Sequence, residues 1–159
     1  MSLSPQRRGG AMAWLWRCVG SLALLGLLAP AASGAAVLAA PDARAVRKVV
    51  EAQLDAFAAD DAERAFSYAS PSIRAQLGDA NNFMAMVRGG YPMVLRPATV
   101  SFFLAQAMDG AKTTVSQPVH LRDRDGRLWL ATYVLERQAG VGWRINGCVV
   151  VADSGQSLT

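Results

Sequence analysis

The chain is poor in the residues that staple, ligate or attack. Among its 159 residues are two cysteines and one histidine. Cys18 lies in a segment with the character of a removable leader, so Cys148 stands alone and no internal disulfide can form. One cysteine and one histidine cannot make up a tetrahedral metal set, so no metal site is expected. No glycine-rich phosphate loop and no nucleophile elbow occurs, and nothing calls for a cofactor. After the leader there is no internal repeat and no low-complexity run. A surplus of positive charge is also missing where it would count. The formal net charge is +4, but Arg7, Arg8 and Arg17 all fall in the leader, which leaves thirteen basic residues against twelve acids. Nucleic-acid binding therefore loses its main support.

The first 39 residues have the order of an export signal. Three arginines come first, an apolar core runs from Val19 to Leu28, and small residues come next, with cleavage expected somewhere in 34–40. This predicts a periplasmic or secreted protein. The alternative is an uncut anchor, because Val19 to Ala40 is uncharged and about 20 apolar residues span a bilayer. Pro30 and the Ala/Gly/Ser-rich second half argue against a span. Only in that alternative does a membrane become a partner.

Residues 40–152 are expected to form one domain, with 153–159 a loose polar tail. From Asp42 to Ala59 the apolar residues Val46, Val49, Val50, Leu54 and Phe57 recur with helical period. Asp60 and Glu63 read as a capping-box variant that restarts the chain as a helix. Ser70-Pro71 opens the next helix as N-cap and first helical residue, and Gly78 closes it. Asp79 or Asn81 caps a further helix carrying Phe83, Met86 and Val87, with Met84 and Met86 as gap-fillers. That helix runs out at Gly89-Gly90, after which Tyr91-Pro92 and Arg96-Pro97 are expected to hold the chain extended.

Beyond Ala98 the period changes to two. Strands are expected over Ala98–Met108, Ala111–Arg122, Arg127–Arg137 and Trp143–Val151, with turns at Asp109-Gly110, Asp123–Gly126 and Ala139–Gly142. Pro118 demotes the middle of the second strand to an edge or a bulge. The result is an α+β fold, helices on a four-stranded antiparallel meander. The third and fourth strands are apolar on both faces, and helices cover only one. A homodimer through the outer sheet face, or a ligand pocket, is expected to cover the rest.

The segments Gln53–Phe57, Asp60-Asp61, Ala65-Phe66, Ala69–Pro71, Phe83–Arg88, Gly90–Pro92 and Arg96-Pro97 together resemble the bacterial family known as domain of unknown function 4864. So do Tyr133, Glu136-Arg137 and Trp143–Cys148. The likeness runs from Asp42 to about Ala152. It implies export and the curved cone of nuclear-transport-factor-2-like proteins, and it carries no catalytic residues with it.

Enzymes built on that cone place an Asp or His base with a Tyr or acid partner in its mouth, which makes Asp55, Asp60, Tyr91, His120 and Tyr133 the candidate catalytic residues. Each also has an ordinary reading as a cap, a surface group or a sheet aromatic. Arg88, Tyr91 and Arg96 are the candidate ligand-binding cluster. Two guanidiniums and a phenol on one short segment suit a small acidic ligand, since arginine makes bidentate contacts to carboxylates and phosphates. The structural alternative is that Arg88 caps its helix and Arg96 pairs with Glu136 or Asp61. Strand alternation groups Cys148 with Arg144, Asn146 and Val150, opposite Trp143, Ile145, Gly147 and Val149. The function expected is a binding or interaction module. A cone-type isomerase or dehydratase using Tyr and Asp is the alternative, and a membrane-tethered accessory domain is the third.

Overall fold

The computed structural model describes residues 36–154. Residues 1–35 of the expected leader, the first two positions of its cleavage range and the end of the tail lie outside them. Four helices come first: α1 (Ala40–Ala58), α2 (Ala62–Ser67), α3 (Pro71–Leu77) and α4 (Ala80–Gly90). They follow β1 (Ala36–Val37) and precede a 3-10 turn (Pro92–Val94). Then come β2 (Thr99–Phe102), β3 (Gln106–Ala107), β4 (Thr114–Arg122), β5 (Leu128–Gln138) and β6 (Gly142–Ala152). All strand pairs are antiparallel, in the order β1-β3-β4-β5-β6, with β2 also on β4. The fold is α+β, as expected. The sheet has six strand segments rather than four, because the first expected strand is broken in two and a short β1 is added.

Local chemistry explains the helix ends. Ser70 and Asp79 accept from the N–H three residues on, at Ile73 (3.2 Å) and Asn82 (2.8 Å). Gly78, at φ +78°, ends α3. The cap of α2 is Asp61 rather than Asp60, with its carboxylate taking the Arg64 N–H at 3.1 Å. Asp60 instead lies at φ +59° and terminates α1. Its N–H bonds to Phe57 O and the Asp61 N–H reaches back to Ala56 O, the paired bonds of a Schellman motif. A left-handed residue was needed between the helices, and that shifts the cap by one.

One core joins helices and sheet. Phe57, Phe66 and Phe83 form a ring cluster, with Phe83 centroids 5.9 Å from Phe57 and 5.4 Å from Phe66. Trp143, Val115, Val119, Leu121 and Leu135 are buried with them, as is Leu38 near the start of the described body. Met84 is buried, whereas Met86 stands half out of the surface. Among the described residues no helix covers the opposite sheet face, and Val149 and Val151 on it are 64% and 50% exposed.

Two bulges shape the sheet. Pro118 lies in β4, which is flanked on both sides, so the edge expectation does not hold but the bulge does. Phe103 N–H donates to Pro118 O (3.1 Å), and the reciprocal bond would need an N–H that proline lacks. The Gln117 carboxamide supplies it, donating to Phe103 O at 2.8 Å and to Pro118 O at 3.0 Å. Opposite it, the chain bulges between β2 and β3.

The second bulge is in β6. Val134 pairs with Gly147 but Leu135 pairs with Ile145, so Asn146 is the extra residue. Asn146 accepts from the Ser70 hydroxyl (2.6 Å) and donates to Glu136 (2.5 Å). The backbone at Ala69-Ser70 also pairs with Ile145. One inserted residue reverses the alternation beyond it. Cys148 and Val150 therefore share the helix-facing side with Trp143 and Ile145, which corrects the expected grouping. Tyr133 stands directly across from Cys148.

Candidate functional site

That reversal completes a chamber of about 240 Å³ between the helices and the sheet. Phe57 comes from α1, Phe83 and Val87 from α4, Tyr91 and Val94 from the turn after it. The sheet contributes Tyr133, Ile145 and Cys148. Gln53 also lines it, with its amide nitrogen spent on Ala65 O (3.2 Å). No Asp, Glu, His, Lys or Arg is among the lining residues.

Tyr133 is 1% exposed, and its hydroxyl meets no nitrogen or oxygen partner, only the Cys148 thiol, a weak hydrogen-bonding group, beside it; among the described residues, Trp143 Nε1 is likewise buried without a partner. An unbonded buried hydroxyl costs about 1–3 kcal/mol, and native structures hold few of them. Burial, and then the neighbouring Cys148 thiol, push the phenol well above its ordinary value. Burial likewise pushes the Cys148 thiol up to about 12. Both groups are therefore neutral at ordinary pH, able to donate a hydrogen bond but not to act as an ionised base or nucleophile.

The candidate residues divide among several places. Tyr91 and Tyr133 line the chamber. Asp55 is exposed on α1, outside the chamber lining. Asp60 pairs with Arg88 at 2.6 Å. His120 lies on the uncovered sheet face, 2.8 Å from Asp153 and edge-on to Phe103. The expected cluster of Arg88, Tyr91 and Arg96 is split, because residues 92–94 form a helical turn rather than an extended run. Arg88 and Arg96 line a separate groove of about 660 Å³ with Phe57, Trp129 and the β4–β5 turn. Arg96 pairs with neither Glu136 nor Asp61, and its Nε donates to Ala58 O (3.1 Å) at the end of α1. That helix has no basic residue in its own last turn, so Arg96 supplies the cation its dipole favours.

Sequence reasoning did not find Gln117, Asn146, Arg124 or Trp129. A glutamine beside a mid-strand proline was a usable signal for the first. Asn146 had none, since its partner Ser70 is 76 residues away.

The family described as Domain of unknown function (DUF4864) matches residues 39–158. The chain belongs to this family. The match spans every helix and every strand of the DUF4864 domain except β1. Comparison with the curated proteins and with the solved structures yields no match. Among the described residues, no group of three or more His, Cys, Asp or Glu is placed to hold a metal ion. No described helix is long and apolar enough to cross a membrane.

Proposed function

We propose that this protein is a binding module whose chamber takes a small, uncharged, largely apolar molecule carrying one hydrogen-bond acceptor. The single observation behind this reading is the buried Tyr133 hydroxyl without a nitrogen or oxygen partner, in a residue that lines an apolar space. The packing closes over that hydroxyl, so a ketone, aldehyde or ester oxygen would relieve its cost by displacing the side chains around it as the ligand enters. A charged ligand has no counter-charge among the lining residues. A dry cavity of 150 Å³ admits benzene, so about 240 Å³ suits roughly ten non-hydrogen atoms. Binding is favoured over cone-type catalysis because Asp55, Asp60 and His120 all lie outside the chamber lining. The Tyr133 phenol and the Cys148 thiol, both held neutral by burial, supply no general base there. The reading takes the fold as the nuclear-transport-factor-2-like cone, supported by helices packed on one face of an antiparallel sheet with a chamber between the layers.

Tyr133→Phe tests it. The ligand-free variant should gain about 1 kcal/mol in urea unfolding, because the under-bonded hydroxyl is gone. Acetophenone should raise the melting temperature of the wild type more than that of the variant, whereas ethylbenzene should affect both equally. Equal shifts by acetophenone in the two proteins would show that the hydroxyl is not the recognition group, and the reading would fall.

A further inference from the structure

We propose that the outer groove is a second, independent site, which binds a small organic acid bearing a carboxylate or phosphate on a flat apolar body. Its charges do not cancel. Arg88 is held by Asp60 at 2.6 Å, and Arg127 by Asp125 (3.0 Å) and Asp123 (3.5 Å). Every acid lining the groove is thereby engaged with an arginine. Two further arginines line it, Arg96 and Arg124, and neither is paired with any of these acids.

Arg96 uses Nε on Ala58 O, which anchors the guanidinium, and among the described residues its two terminal nitrogens are uncommitted. That is the fork geometry suited to a carboxylate or phosphate. Arg124, in the turn between β4 and β5, is exposed and makes no side-chain hydrogen bond or ion pair within the described residues. The apolar part of the same lining includes Met93, Leu95 and half-buried Trp129. The Trp129 ring is fixed by its Nε1 bond to Asp123 (2.9 Å), so it presents a set surface to a planar body. Carboxylate Asp123 is fully used by Trp129, the Arg127 N–H (2.9 Å) and the Arg127 side chain, and does not compete for Arg124. The ligand is thus an anion in which the apolar part matters, and inorganic phosphate alone lacks it.

Titration calorimetry on the full chain tests the proposal, with phenyl phosphate and benzoate as probes and benzyl alcohol as the uncharged control. At least one acid should bind and be weakened by Arg124→Gln, whereas any heat from benzyl alcohol, which also fits the chamber, should be the same in wild type and Arg124→Gln. Arg124→Gln should weaken the acid about tenfold without shifting the ligand-free melting temperature, since Arg124 carries no structural bond. Arg96 is a poorer first target because it also closes α1. Asp60→Asn should tighten the acid, about threefold, by releasing Arg88 into the groove. Tyr133→Phe should change nothing, which separates this site from the chamber. Failure of both acids to bind would overturn the proposal. So would benzyl alcohol binding that Arg124→Gln weakens as much as it weakens the acid, an Arg124→Gln variant that binds the acid as the wild type does, or a loss of acid binding in Tyr133→Phe.

Discussion

The two bulges of the sheet have the same geometry, one residue too many on one strand, but opposite causes. The one facing Pro118 is dictated by the proline itself, which cannot donate, and is completed by the neighbouring side chain Gln117. The one at Asn146 has no backbone reason to exist. It is held by Ser70 and Glu136, which reach it from a helix N-terminus and from the next strand. The first is a local device that shapes the flank of the sheet. The second is a tertiary device, and the chamber depends on it, because it turns Cys148 inward beside Tyr133. A bulge written in covalent chemistry is robust to its surroundings, whereas a bulge held by distant partners is a joint between layers.

This contrast can be broken at either end. Asn146→Ala removes two hydrogen bonds in a part-buried setting and should cost about 2–3 kcal/mol in urea unfolding. It should also speed labelling of Cys148 by thiol reagents, since the strand beyond Asn146 loses its hold. Unchanged stability and labelling would show that the bulge is not held from outside. Gln117→Leu should cost less, about 1–2 kcal/mol, by leaving Phe103 O without its donor. Adding Pro118→Val to that variant restores a backbone N–H opposite Phe103 and should recover most of the loss. A double variant less stable than Gln117→Leu alone would refute the assignment of the missing bond.

The smallest effect at neutral pH belongs to Cys148→Ala, within about 1 kcal/mol. Its signature appears in alkali. The thiol titrates near 9.0 when unperturbed and at about 12 in the folded protein, so above pH 9 the unfolded chain loses its proton first. The stabilisation is complete below pH 9 and is lost progressively as pH climbs towards 12, at up to about 1.4 kcal/mol per unit. Cys148→Ala should flatten the first part of that decline. An identical alkaline profile in the two proteins would place the thiol in water.

Much of the helical half is legible from the chain because its signals are local. Ser70-Pro71, Gly78 and Asp79 each act within one turn of where they stand, and each does what its chemistry predicts. The change of period at Ala98 is local too. The departures come where a single residue's conformation sets the register of the next segment. Asp60 in the left-handed region moves a cap to Asp61, and a helical turn at Pro92 sends Tyr91 to the chamber and Arg96 to the groove. Neither φ angle is encoded by a glycine. Of the candidate site residues, the two phenols are legible but their company is not. Tyr133 and Cys148 meet only because of Asn146, and its partner lies on another layer.

Proline within a flanked strand has one more consequence, and it concerns how the chain finds its pairing. Slide the β2–β3 segment by two positions along β4 and a different carbonyl faces the pyrrolidine ring. Gln117 is fixed one residue away on the same strand, so its carboxamide travels with the proline and reaches whichever carbonyl stands there, in this fold that of Phe103. The remedy for the missing donor is thus carried by β4 itself and asks nothing of the segment it meets. Choice of register is left to side-chain burial on the two faces of the sheet.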